Sequence, residues 1–115
     1  MWIFLPDGFL SVVADNDDPN SSRLLVRARK REHLTRVFPG CKVLTMMGSD
    51  YGFRAWIDRQ HVATTMARRL EDLAYGNFKN EVEDDHYHDA CLGVWQEMRD
   101  FQDRSPNDRK VGWVR

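Results

Sequence analysis

The chain has no long hydrophobic run. Its apolar stretches last a few residues each, and the first meets Pro6-Asp7-Gly8 before the core of a signal peptide could form. Neither secretion nor a membrane-spanning helix is therefore expected, and the cytoplasm is the expected compartment. Cysteine is scarce: Cys41 and Cys91 stand alone, and in that compartment they read as two reduced thiols rather than a disulfide framework. Charge of one sign is not in excess either, since 17 Lys and Arg face 18 Asp and Glu for a formal net charge of -1. That balance excludes a histone-like nucleic-acid binder and an acidic tail protein, and leaves any charged partner to a local patch. No Gly-rich phosphate loop, dinucleotide fingerprint, nucleophile elbow or His-Glu-x-x-His is present, so no cofactor is expected. Internal repeats and low-complexity tracts are lacking too.

What is there suits one ordinary globular domain: 115 residues, 42% hydrophobic and 30% charged, enough apolar material for one core and too much for disorder. Around Pro6-Asp7-Gly8 the sequence alternates, with Trp2, Phe4, Phe9, Ser11 and Val13 on one parity and Leu10, Val12 and Ala14 on the other, which predicts a hairpin. Residues 15–22, rich in Asp, Asn, Ser and Pro, form a loop. A third strand over 24–29 puts Val26 and Ala28 on one face and Leu25, Arg27 and Arg29 on the other. Leu34, Val37 and Phe38 give a two-turn helix stopped by Pro39-Gly40.

A second hairpin turns at Gly48-Ser49-Asp50, with Tyr51, Phe53, Ala55 and Ile57 expected on one face and Arg54 and Trp56 on the other. Asp58 then opens a helix whose Val62, Met66, Leu70 and Leu73 are expected against the sheet, with Gly76 as its left-handed stop. From Phe78 an apolar stripe runs through Tyr87, Cys91, Val94, Trp95, Met98 and Phe101, interrupted at Glu83-Asp84-Asp85, as one helix or two. Ser105-Pro106-Asn107-Asp108 breaks it. The expected class is α+β: an antiparallel sheet of about five strands with two or three helices packed on one face, as a single domain over 1–103. Residues 104–115 form a C-terminal tail in which Val111, Trp113 and Val114 suggest docking.

Two clusters are candidates for chemistry. Asp85, His88 and Cys91 carry lone pairs suited to a metal ion or, with Cys91, a nucleophile, but His86 and His88 differ by about 200° on a helix and cannot chelate together. A site there needs help from His33 or His61, and the Cys91 position between Tyr87 and Trp95 marks it as core. Arg27, Arg29 and Arg54, with Trp56 beside them, form the other cluster. On the sheet side opposite the helices they would repel one another unless acids or a partner intervened, and Trp and Arg are the residues that concentrate interface energy.

The blocks Met1-Trp2, Asp7-Gly8-Phe9-Leu10-Ser11-Val12-Val13, Leu25-Val26-Arg27-Ala28-Arg29, Ser49-Asp50-Tyr51-Gly52-Phe53-Arg54-Ala55 and Tyr75-Gly76-Asn77-Phe78-Lys79 resemble a recurring pattern in short hypothetical bacterial proteins. The resemblance runs to about Phe101. It implies the same order of elements in one small domain, and no activity, substrate or site.

The sequence thus favours a small cytoplasmic protein-binding module, accessory or inhibitory in kind, over an enzyme, with Arg27, Arg29, Arg54 and Trp56 as the partner-binding face. Two alternatives stay open: a nucleic-acid-binding domain using the same arginine face, and a metal-binding protein or enzyme using the Asp85, His88, Cys91 helix.

Overall fold

The computed structural model describes residues 1–104; the tail lies, past Arg104, outside the described residues. Five strands, β1 (Trp2–Leu5), β2 (Gly8–Ala14), β3 (Arg23–Ala28), β4 (Leu44–Thr45) and β5 (Phe53–Asp58), form one antiparallel sheet in the order β1-β2-β3-β5-β4. Four helices accompany it: α1 (Arg31–Val37), α2 (Arg59–Glu71), α3 (Phe78–Glu81) and α4 (Asp85–Asp103). The class is the expected α+β.

Pairing of Leu5 with Gly8 leaves Pro6 and Asp7 as the hairpin turn. Gly8 is required by contact rather than by φ: a Cβ there would sit 2.9 Å from that of His33 on α1. Arg69 of α2 holds the turn from another side, donating to both carboxylate oxygens of Asp7 at 2.9 Å. Such a bidentate pair fixes orientation as well as charge. The 15–22 loop is pinned at its end by Arg59, whose guanidinium donates to the Ser21 and Pro19 carbonyls.

Strand alternation sorts the side chains as the sequence predicts. Leu10, Val12, Val26, Ala28, Ala55 and Ile57 lie under α1 and α2 with Leu34, Val37, Phe38 and Val62, making the main core. A second cluster forms at the β1–β2 corner, where Val82, Tyr87 and Cys91 meet Phe4, Phe9 and Phe78. Phe4 and Phe9 are register partners of the opposite parity, so the start of α4 reaches the sheet side that α1 and α2 leave open.

The structure corrects three local expectations. Leu70 and Leu73 are not buried; they are 72% and 47% exposed. The inward positions of α2 are Val62, Met66 and Arg69, because seven residues return almost to the same angle while eight overshoot by about 80°. Gly76 is not a left-handed stop: α2 ends at Glu71, and among the described residues only Gly40 and Gly48 have positive φ. Tyr51 does not share a face with Phe53, because β5 starts only at Phe53, and the bend at Gly52 turns the ring toward the arginines. The stretch after Phe78 resolves into two helices. Asn77 caps α3 by accepting from the Asn80 N–H, and Asp84 caps α4 by accepting from that of Tyr87; the acidic interruption is the restart of a helix.

Candidate partner-binding face

Ser11, Arg27 and Arg54 stand side by side on β2, β3 and β5, with Leu25 and Trp56 paired one step along. This row faces away from α1 and α2. Arg27 donates to the Ser11 hydroxyl at 2.7 Å, and its guanidinium carbon lies 4.6 Å from the centre of the Tyr51 ring. Arg29, just past the end of β3, covers the same ring at 4.4 Å and donates to the Asp50 carbonyl at 2.8 Å. Arg54 donates to the Ser49 hydroxyl at 3.1 Å and to the Tyr51 carbonyl at 3.5 Å. Arg23 lies 4.8 Å over Trp56.

Three guanidinium groups thus converge on the 49–51 loop. The repulsion expected between them is relieved inside the chain, by the negative face of a phenol ring and by carbonyl and hydroxyl oxygens, with the Asp50 carboxylate 3.4 Å from Arg29 as an ion pair. Tyr51 is 3% exposed, the keystone that reading 48–50 as a mere turn missed. The signal available was Gly52, which breaks the parity of the strand. Arg27 is the innermost of the set, and its Nε is buried without a hydrogen-bond partner. Arg29 is exposed, while Arg54 and Trp56 are half-buried.

Beside the row a cleft of about 620 Å³ runs between the sheet and α4, walled by Trp2, Phe4, Phe9, Tyr51, Tyr87 and Val94, with both basic groups (Arg29, Lys30) and carboxylates (Glu32, Asp84) on its rim. Phe4 stacks on Phe9 at 4.5 Å, and Trp2 meets Phe9 edge-on at 6.1 Å. His33 forms the cleft's inner wall. Its Nδ1 accepts the Phe9 N–H at 3.1 Å, which places the ring proton on Nε2. Burial depresses its pKa against the pull of Glu32. The Tyr87 hydroxyl closes the wall by donating to the Leu5 carbonyl at 2.7 Å, and burial pushes its pKa well above the usual phenol value.

The other candidate cluster is strung along α4. Asp85 is exposed, Cys91 is buried, and His88 lies 3.9 Å from Asp89; among the described residues no group of three or more ligating side chains is placed to hold a metal ion. Both thiols are free, and burial raises the pKa of each, which keeps them protonated and poorly nucleophilic. Among the described residues no helix is long and apolar enough to cross a membrane. Comparison with protein-family models, with curated proteins and with solved structures finds no match to this chain.

Proposed function

We propose that the protein is a non-enzymatic binding module of the cytoplasm that engages another protein through the open side of its sheet, from the arginine row to the aromatic cleft. One observation carries the reading: Arg27, Arg29 and Arg54 are held in fixed positions by Tyr51, Ser11 and Ser49 next to a cleft walled by Trp2, Phe4, Phe9 and Tyr87. Pre-ordered Arg beside aromatic surface is the composition of an interface centre. The partner it suits offers a carboxylate to Arg29 and an apolar side chain to the cleft. Raised thiol pKa values make Cys41 and Cys91 poor nucleophiles.

The test compares capture from cells that make the protein by the native chain and by an Arg29→Glu, Trp2→Ala variant. Both sites are exposed, so the variant keeps its fold. A protein enriched on the native chain and lost on the variant is expected. Equal capture by both would overturn the proposal, and recovery of nucleic acid released steeply by salt would move the reading to RNA or DNA.

A further inference from the structure

The His33 ring has one nitrogen to spare. Its Nδ1 is taken by the Phe9 N–H, and the Nε2–H, on the ring edge away from that strand, has no hydrogen-bond partner among the described residues. His33 is only 7% exposed, yet it forms part of the wall of the cleft of about 620 Å³. A buried donor left unmet is costly, so this one marks a place for an acceptor. The aromatic part of the wall has a shape of its own. Phe4 and Phe9 stack 21° from parallel, and the exposed indole of Trp2 stands at 83° to Phe9. Two aromatic planes near a right angle make a corner for a flat ring. Around the opening Arg29 and Lys30 stand against Glu32 and Asp84, so an ion of either sign meets repulsion as well as attraction there.

We propose that the cleft is a binding site for a small, neutral, planar heteroaromatic molecule, bicyclic or tricyclic, that packs in the corner of Phe9 and Trp2 and sets an acceptor nitrogen or carbonyl oxygen on the His33 Nε2–H. The volume falls within the roughly 300–1,000 Å³ of small-molecule pockets, where apolar walls supply affinity and a few polar groups fix orientation. Burial keeps His33 neutral, so what it offers is one directed N–H and not a charge. The Tyr87 hydroxyl, in the same wall, is already spent on the Leu5 carbonyl. A neutral rim and a neutral donor together select a neutral acceptor. The site stands without a protein partner, and a ligand in it excludes the apolar side chain that such a partner would place there.

The test titrates quinoline and indole separately into the full chain and reads proton–nitrogen NMR spectra. The two are bicycles of similar size, but quinoline brings an acceptor nitrogen and indole only an N–H donor. Quinoline is expected to shift the amides of Trp2, Phe9 and Ala90 and the imidazole nitrogens of His33, saturating in the millimolar range. It should bind about two- to tenfold tighter than indole, the ratio that one neutral hydrogen bond gives. Ala90→Phe, at an exposed position of the α4 wall, should keep the amide spectrum of the fold and abolish the quinoline shifts. Indole binding as tightly as quinoline would overturn the proposal, because the cleft would then be no more than an apolar surface. Shifts that stay linear and scattered over the chain would overturn it too, as would cleft shifts that survive in Ala90→Phe. The comparison of the two probes on the native chain decides by itself should that variant not fold.

Discussion

His33 joins the hairpin, α1 and α4 through one ring: it accepts from Phe9, crowds Gly8 and packs 4.8 Å from Tyr87. Gly8→Ala should therefore cost about 1–3 kcal/mol by overpacking, read as a lower midpoint in urea. The ring is neutral in the fold because burial disfavours its charged form. The unfolded chain thus takes up the proton first, and stability should begin to fall as pH drops below about 6.5 and continue to fall through the lower value of the folded state. Thermal unfolding between pH 7.5 and 5 measures this, and a midpoint independent of pH there would contradict the assignment. Asp7 adds a second, more acidic limb. Burial pushes its carboxyl up, but the hydrogen bonds and charge of Arg69 outweigh it and hold the pKa below the ordinary value of 3.8. What that pair contributes is present above 3.8 and is lost as pH falls through the folded value.

Among the elements, α2 and α4 separate what periodicity tells from what it does not. Leu34 of α1 is fully buried, so Leu34→Ala should cost about 2–5 kcal/mol, whereas Leu70→Ala on exposed α2 surface should change stability by less than about 0.5 kcal/mol. Parallel denaturant titrations decide between that contrast and equal losses. Tyr87→Phe leaves the Leu5 carbonyl without its buried donor, and should cost about 1–3 kcal/mol. Strand parity was legible from Val26, Ala28, Ala55 and Ile57, because a period of two leaves no choice once one face is covered. The α2 seam was not legible beyond Met66, since a spacing of four and a spacing of three both read as helical and only the Asp7–Arg69 pair selects the second. The arginines of the candidate face could be placed from sequence, but what they rest on could not: Tyr51 crosses sides at a bend.

The described residues form a body longer than their number suggests. Its radius of gyration is 16.8 Å and its long axis 48 Å, against about 13 Å in radius for a compact 100-residue domain. A helix the length of α4 spans about 28 Å, of which only the first turns meet the second cluster. The two clusters therefore differ in how well each is surrounded. Hydrogen exchange should show β3 and β5, in the centre of the sheet, protected close to the global limit, and the amides after Val94 exchanging far sooner. Uniform protection along α4 would contradict this layout. The shared ring of Tyr51 carries its consequence into kinetics. The Arg27 and Arg29 guanidinium groups already rest on the Tyr51 ring in the folded chain, so the partner proposed above would meet them pre-ordered. In the proposed complex, encounter would then wait on orientation and not on rearrangement, and replacing Tyr51 by Leu should slow its formation as well as hasten its dissociation.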